Sequence, residues 1–364
     1  MKHIKELDGL RGLMALWVVA GHAYEAIPPL SGMIPMTLMN DFAVDVFIIL
    51  SGFVIFNYLN KNPLVPYKKY IQQRALRLFP IYLVVMALTI SSIYFYRDIL
   101  VTSPLSPSTD FRIHQIDTFL DNMIQHIVPH LFLLQGIVPE KMLHLSGTTI
   151  VGQAWSASVE WQFYLIAPLL FMICNKVIQS PTVKKSIIII ISIFLFLVIS
   201  RMINNKAFIG TGAAAFFIGF MSFYYLRDIF PKITDRNIIL TSLCLCVAII
   251  LILKKDCIGY LIWIIVFSAT LIKSKREKDN IITKIFINNL SQTIGKVSYS
   301  VYMVHMLVIY IILYTMTSLQ LPLNMYFMLV PLSIALSLII SVYTYKFIER
   351  PMMNLGKKEK IAHN

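Results

Sequence analysis

Long apolar runs alternate with short polar gaps along almost the whole chain. Most runs are long enough for a helix to cross the roughly 30 Å hydrocarbon core of a bilayer. The sequence therefore predicts an all-α fold, a polytopic bundle of membrane helices. Eleven apolar segments can be distinguished, at approximately 7–27, 41–60, 74–96, 119–136, 157–175, 186–200, 207–226, 238–253, 257–272, 294–318 and 324–348.

The segment 119–136 is the weakest of these, because it contains Asp121, His126 and His130. Charge decides whether it spans, since cytoplasmic loops carry an excess of Lys and Arg. If it does not span and the N-terminus is cytoplasmic, all but seven of the 32 Lys and Arg lie on the cytoplasmic side. We therefore predict about ten transmembrane helices, two cytoplasmic termini, and a re-entrant or surface helix within the outer segment 97–156.

Composition supports a membrane protein and narrows its class. Of the 364 residues, 57% are hydrophobic and 14% are charged, against about 25% charged in soluble domains. The net charge of +14 would suit nucleic acid, but the basic residues stand at helix ends, where membrane topology uses them. We therefore predict no nucleic-acid partner. The sequence carries no disulfide framework or metal-binding spacing, and we expect one integral membrane domain over residues 1–364 without an appended soluble domain.

The first apolar segment carries charges that a plain membrane anchor would lack. Asp8, Arg11 and His22 interrupt its apolar residues. Arg11 and His22 are eleven residues apart, so on a helix they share one face, about 16 Å apart along the axis. An ionisable residue inside a membrane costs about 2.5–3.5 kcal/mol and faces a polar interior. The stripe predicts a functional site, with a purely structural hydrogen bond from His22 to a neighbouring helix as the alternative.

Two acidic positions are candidates near the outer side. Asp45 follows Asp41 by one turn at the start of the second segment, and Glu160 shares a helix face with Ser156 and Tyr164. A carboxylate there can orient a histidine or bind a sugar hydroxyl. Each also has a structural alternative, because the helix dipole stabilises a carboxylate at a helix N-terminus.

Basic and polar side chains mark the predicted cytoplasmic side. Arg74 and Arg77 are three residues apart and project from one helix face. Two planar guanidinium groups suit a polyphosphate, although arginines at this boundary also serve as topology anchors. The tenth predicted span carries a polar stripe that runs from its cytoplasmic end towards mid-membrane, formed by Ser298, Tyr302 and His305 with Tyr299 beside it.

In their order and spacing these motifs resemble the acyltransferase-3 family of integral membrane acyltransferases, typified by bacterial O-antigen and exopolysaccharide O-acetyltransferases. The resemblance covers nearly the whole chain and includes the interval between Arg11 and His22. The matching stretches are Leu7–Gly12 with His22, Val44–Phe47 with Leu50–Phe53, Arg74–Arg77 with Pro80, Trp155–Ser156 with Ser158–Glu160, Gly295 with Ser298–Ser300, His305, and Glu349–Pro351.

The resemblance implies a multi-pass O-acyltransferase of the bacterial inner (cytoplasmic) membrane. Its donor substrate would be acyl-CoA, typically acetyl-CoA, entering from the cytoplasm, with no permanently bound cofactor. Its acceptor would be a hydroxyl of a surface glycan or of a lipid-linked glycan precursor at the outer face. On this interpretation His22 is the catalytic base, Glu160 or Asp45 orients it or holds the sugar, and Arg74 and Arg77 hold the coenzyme A phosphates.

The remaining candidates line the donor path in this interpretation. Ser298 and Tyr299 lie along the pantetheine, and Arg11 neutralises donor charge or stabilises the pathway. His305 points towards the same interior, with a purely structural role as the alternative. Direct transfer and a transient acyl-histidine remain equally open. The rival hypothesis is a transporter for a lipid-linked sugar or acylated metabolite, since polar residues within spans also mark transport paths. A third hypothesis is a sensor whose ligand binds the outer segment.

Overall fold

The structure is a computed structural model that describes residues 3–28, 30, 33–35, 37–104, 107–179 and 199–358. The described residues are mostly helical and contain no strand, so the predicted all-α fold is confirmed. The helices are α1 (Lys5–Glu25), α2 (Phe42–Lys61), α3 (Tyr67–Ser91), α4 (Ile93–Thr102), α5 (Pro107–Asp121), α6 (Met123–Leu131), α7 (Trp155–Gln179), α8 (Ala213–Tyr224), α9 (Asp235–Leu253), α10 (Ile258–Arg276), α11 (Ile281–Ile287), α12 (Asn289–Ser318), α13 (Leu329–Thr344) and α14 (Arg350–Lys358).

Within the described ranges, eight helical stretches are long and apolar enough to cross a membrane. They are Met39–Lys61, Tyr67–Ser91, Gly152–Asn175, Ile209–Lys232, Asp235–Leu253, Ile258–Arg276, Asn289–Ser318 and Leu323–Gly356. Each coincides with a predicted segment. The first predicted segment forms the 21-residue α1, which is less apolar because of Asp8, Arg11 and His22. The segment 186–200 lies almost wholly outside the described residues. The polytopic bundle is thus confirmed, and the sidedness of the termini stays a prediction.

The weak segment 119–136 forms no helix of membrane-spanning length. Helix α5 ends at Asp121, α6 covers nine residues, and a short 3-10 turn follows at Gln135–Ile137. None of these elements is among the eight candidate spans. This agrees with the prediction of a short surface or re-entrant helix in the outer segment.

The chain divides into two compact units, each assembled from three stretches of sequence. The first comprises Met1–Phe53, Tyr94–Arg112 and Ala215–Phe347, and the second comprises Val54–Ile93, Ile113–Ala214 and Ile348–Asn364. Each unit therefore contains its own share of the candidate residues: His22, Arg11, Asp45, Ser298, Tyr299 and His305 belong to the first, and Arg74, Arg77 and Glu160 to the second.

In the first unit, α1 packs along α12, and α13 packs against both. Small and β-branched residues make this contact close, as is common between helices in membranes. A Cβ on Gly12 would lie only 2.6 Å from the backbone nitrogen of Gly295, so α1 and α12 approach each other at glycine. Next to this point lies a buried apolar cluster of Ala15, Val19, Val297 and Val301.

In the second unit, α3 packs against α7 and α14. The Phe79 ring meets Trp161 of α7 edge-on, with ring centroids 5.0 Å apart. The Gln73 side chain donates to the carbonyl oxygen of Gly356 in α14 at 3.2 Å. Pro80 lies inside α3, and because it has no N–H, the carbonyl four residues earlier lacks its helical partner.

Candidate functional site

Arg11 is held by helix α12. Its Nε–H donates to Ser298 Oγ and its Nη2–H donates to the carbonyl oxygen of Gly295, each at 3.0 Å. The carboxylate of Asp8, one turn earlier, lies 3.5 Å from the same guanidinium. The structure therefore brings the predicted residues Arg11 and Ser298 together, next to the half-buried Tyr299, and uses the Arg11 donors to join α1 to α12.

His22 and His305 form a stacked pair, which we call the histidine pair. Their ring centroids are 5.3 Å apart and their planes differ by 22°. The pair forms because His22 lies on the face of α1 that carries Arg11, and this face packs against α12. The shared face of Arg11 and His22 that the eleven-residue spacing predicts is thus confirmed, since both residues contact α12.

The tautomer of His305 follows from its backbone contact. Its Nδ1 lies 2.7 Å from the carbonyl oxygen of Tyr302. A carbonyl can only accept, so Nδ1 carries the hydrogen and Nε2 carries the lone pair. That Nε2 is buried and has no hydrogen-bond partner among the described residues, and the whole side chain is 0% exposed. His305 thus presents an oriented proton acceptor beside His22.

Asp45 is half-buried near the start of α2 and lies close to the carboxylates of Asp41 and Asp256. A Cβ on Gly259 of α10 would lie 2.9 Å from the Cβ of Asp45, so α2 and α10 are tightly packed here. The structure places Asp45 in an acidic cluster at this helix contact. A role for Asp45 in orienting His22 or holding a sugar stays a prediction.

Arg74 is surrounded by three tyrosine rings in the second unit. Its guanidinium carbon lies 4.6 Å from the ring centroid of Tyr58, 5.6 Å from that of Tyr70 and 5.8 Å from that of Tyr164. These distances are within the range of cation–π attraction. We call Arg74 and these tyrosines the arginine cage. Arg77, one turn further along α3, is half-buried and its charge also acts on Tyr164.

Glu160 belongs to the surroundings of the same cage. It accepts a hydrogen bond from the Tyr164 hydroxyl, which confirms that these two residues share a face of α7. The sequence analysis places Arg74 near the inner side and Glu160 near the outer side. The structure brings both residues next to Tyr164, and the side of the membrane on which each lies stays a prediction. Hydropathy shows where α7 lies in the chain, but its register against α3 depends on packing contacts that sequence periodicity does not reveal.

Two buried histidines in the outer segment are functional candidates that the sequence analysis missed. His126 and His130 are each 0% exposed. His126 Nδ1 lies 2.9 Å from Thr149 Oγ1, and Tyr82 of α3 donates to the carbonyl oxygen of His130 at 2.8 Å. The signal was present: two histidines spaced by four in a weakly apolar segment.

Burial controls the protonation of these two histidines. It lowers the pKa of His126, and it lowers the pKa of His130 to about 4 from an ordinary value of 6.5. Both rings are therefore neutral at pH 7. His130 Nδ1 lies 2.7 Å from the carbonyl oxygen of His126, and Nε2 lies 3.1 Å from that of Thr149. A neutral imidazole has one N–H and can donate to only one of these two carbonyls.

The described side chains point to proton transfer and anion binding. No group of three or more His, Cys, Asp or Glu side chains in the described ranges could hold a metal ion. The histidine pair can accept and return a proton, and the arginine cage with Arg77 can attract a phosphate. These are the functions required to move an acyl group from a phosphate-bearing carrier to a hydroxyl.

Comparison with known proteins points to the same class of function, acyl transfer. The family model described as an acyltransferase domain, of the acyltransferase-3 type, matches residues 4–346, a range that contains every candidate residue. The peptidoglycan O-acetyltransferase OatA of Listeria monocytogenes is 24% identical over 382 residues. That match covers 98% of this chain and 56% of the relative, so the chain spans little more than half the length of this curated relative. No solved structure matches significantly. The chain therefore belongs to the acyltransferase-3 family of integral membrane acyltransferases.

Proposed function

We propose that this protein is an O-acetyltransferase of the bacterial cytoplasmic membrane. It would move an acetyl group from cytoplasmic acetyl-CoA to a hydroxyl of a surface glycan, or of its lipid-linked precursor, at the outer face. Family membership supports acyl transfer. The name of the Listeria relative, a peptidoglycan O-acetyltransferase, supports acetyl as the acyl group and a glycan as the acceptor.

The observation that carries the proposal is the histidine pair. Two stacked imidazoles join α1 to α12. One of them, His305, has a fixed tautomer, and its buried acceptor nitrogen has no hydrogen-bond partner in the described part of the chain. Imidazole is the side chain whose unperturbed pKa suits proton transfer near neutral pH. Histidines within spans also relay protons in transporters, so the transfer and transport assays below decide between the two functions.

The proposed step transfers one proton and one acyl group. His22, as neutral imidazole, removes the proton from the acceptor hydroxyl, and the hydroxyl oxygen attacks the thioester carbonyl. The carbon–oxygen bond forms and the carbon–sulfur bond breaks. The coenzyme A thiolate leaves and takes the proton from the His22 imidazolium. His305 Nε2 lies beside His22 and can accept a hydrogen bond. During this exchange it orients the N–H or O–H group that donates to it.

Arg11 and Ser298 receive a more specific role than the sequence alone suggests. Because Arg11 donates to Ser298 and to the Gly295 carbonyl of α12, it holds α1 against α12 and thereby positions His22. Tyr299 remains the candidate for contact with the pantetheine arm.

Arg74 and Arg77 are proposed to bind the coenzyme A phosphates. Two guanidinium groups on one helix face give charge-assisted hydrogen bonds to phosphate oxygens. Glu160 would support this region by accepting from Tyr164, and Asp45 remains the candidate for holding a sugar hydroxyl. The partners of the protein would thus be acyl-CoA, a glycan or lipid-linked glycan, and the surrounding membrane lipid.

The test is a transfer assay with purified protein in lipid nanodiscs. Acetyl-CoA labelled in its acetyl group is supplied with peptidoglycan fragments or lipid-linked glycan precursors. We expect labelled ester on the glycan, measured by mass spectrometry, together with stoichiometric release of coenzyme A. The His22→Ala variant and a reaction without acceptor are the controls.

The transporter hypothesis makes the opposite prediction in the same preparation. Protein reconstituted into sealed vesicles would move a lipid-linked sugar or an acylated metabolite across the bilayer and leave acetyl-CoA intact. Transport without ester formation would overturn the proposed function.

A further inference from the structure

Two hydrogen-bond donors in the arginine cage lack a partner in the part of the chain that the structure describes. Arg74 Nε and the Tyr70 hydroxyl are both buried without a hydrogen-bond partner among the described residues, and Tyr70 is 0% exposed. Leaving a donor buried and unpaired costs free energy, so such groups normally have a protein, water or ligand partner. The two side chains are in contact, with the guanidinium carbon 5.6 Å from the Tyr70 ring centroid.

The other hydroxyl groups of the cage do have partners. The Tyr58 hydroxyl donates to Gln73 Oε1 at 2.9 Å, and the Tyr164 hydroxyl donates to Glu160. Tyr58 and Tyr164 are therefore fixed as ring walls around Arg74. Tyr70 is different, because its ring packs in the cage but its hydroxyl has nothing to bind among the described residues.

No carboxylate in the described ranges forms an ion pair with Arg74. None of the ion pairs formed by the described residues includes Arg74. The Glu160 carboxylate accepts from the Tyr164 hydroxyl, and the ring of Tyr164 lies 5.8 Å from the Arg74 guanidinium carbon. The positive charge of Arg77 also acts on Tyr164, so two guanidinium groups lie around this ring and can attract an anion.

We propose that Tyr70 is a further donor-binding residue, whose hydroxyl and the Arg74 Nε–H bind the same phosphate group of the acyl-CoA donor. Tyr58 and Tyr164 are positioning residues that hold the Arg74 guanidinium. The inference rests on the proposed function, since it assumes that the arginine cage receives the donor. A phosphate oxygen has several lone pairs and accepts from two donors at once.

The test measures coenzyme A affinity for Tyr70→Phe, which removes only the hydroxyl. Protein in phosphatidylcholine nanodiscs is titrated with coenzyme A by calorimetry. We expect about tenfold weaker binding, since a hydrogen bond to a charged group is worth roughly that factor. The double variant Tyr70→Phe with Arg74→Ala should lose less than the product of the two single losses, because both residues bind one group.

Tyr82→Phe is the matched control. Tyr82 is another buried tyrosine of α3, but its hydroxyl donates to the His130 carbonyl. The control should lower thermal stability and leave coenzyme A affinity unchanged. Tyr70→Phe should show the reverse, with stability unchanged or raised, because removing an unpaired buried hydroxyl removes a desolvation cost.

The outcomes separate the two proposals. If coenzyme A affinity is unchanged in Arg74→Ala and in Arg77→Ala, the proposed donor site is wrong. If Arg74→Ala weakens binding while Tyr70→Phe binds like wild type, only the role of Tyr70 is wrong, and its hydroxyl is satisfied by water. A lipid headgroup is a second phosphate source. If phosphatidylglycerol nanodiscs suppress coenzyme A binding, and Tyr70→Phe relieves that suppression, the Tyr70 site belongs to lipid and the inference is overturned.

Discussion

His22 and His305 stack with their ring centroids 5.3 Å apart. Two imidazolium cations at this distance repel each other, so protonation of one ring disfavours protonation of the other. The arrangement therefore suits a pair that holds one proton at a time. The two residues need separate variants, because the proposed function makes His22 the base and His305 an acceptor beside it.

His22→Ala should reduce acyl transfer by at least about 100-fold, since a general base typically contributes about 10²- to 10⁴-fold. His22→Gln keeps a hydrogen bond but cannot accept a proton, so it should be nearly as inactive. The measurement is turnover per folded protein, with coenzyme A binding measured separately and expected to be intact. Turnover of His22→Gln within a few fold of wild type would show that His22 is not the base.

His305→Asn tests the oriented nitrogen. Asparagine can keep the donation from the Nδ1 position to the Tyr302 carbonyl, but it has no acceptor at the Nε2 position. We expect His305→Asn to fold like wild type and lose about tenfold or more in turnover, with donor affinity unchanged. His305→Ala, which loses both contacts, is the comparison and should also be less stable. Full turnover of His305→Asn would mean that only the backbone contact matters.

Gly12→Ala should push α1 away from α12. Its Cβ would lie 2.6 Å from the backbone nitrogen of Gly295, and backbone cannot move aside as a flexible side chain can. Overpacking of this kind costs about 1–3 kcal/mol. We expect a lower melting temperature and reduced turnover, because the Arg11 contacts with α12 lengthen. Gly152→Ala is the control, since a Cβ there meets nothing within 4 Å, and it should resemble wild type in both measurements.

Acidification should destabilise the fold through His130. Burial holds its pKa at about 4, below the ordinary 6.5, so the unfolded chain binds more protons between these values. The free energy of unfolding that depends on a neutral His130 is fully present above about pH 6.5, and it is lost as the pH falls towards 4. For these two pKa values the loss at pH 5 is about 2 kcal/mol.

The measurement for His130 is melting temperature against pH in detergent. His130→Asn should show a flatter curve than wild type between pH 7 and pH 5. His144→Asn changes an exposed histidine and should keep the wild-type slope. Parallel curves for His130→Asn and wild type would contradict the assignment.

The sequence predicts the features that depend on local spacing. The apolar runs coincide with the candidate spans because length and hydropathy are local properties. Arg11 and His22 face one neighbour because helical periodicity fixes their angle. Contacts between distant segments do not follow from local spacing. That Glu160 and Arg74 meet at Tyr164 depends on how Phe79 packs against Trp161, and the tautomer of His305 depends on one backbone carbonyl.

Pro80 separates α3 into two segments that can move relative to each other. Arg74 and Arg77 stand before it, and Tyr82, which holds the His130 carbonyl, stands just after it. A helix with a missing hydrogen bond bends more easily at that point, so a shift of the arginines on donor binding would be absorbed before it reaches α6. We expect coenzyme A to leave the hydrogen-exchange rates of α6 unchanged in the wild type and to change them in Pro80→Ala. Equal responses in both proteins would exclude this hinge. The proline would thus decouple the two ends of α3 mechanically. The arginine end could bind and release the donor without disturbing the contact of the other end with α6.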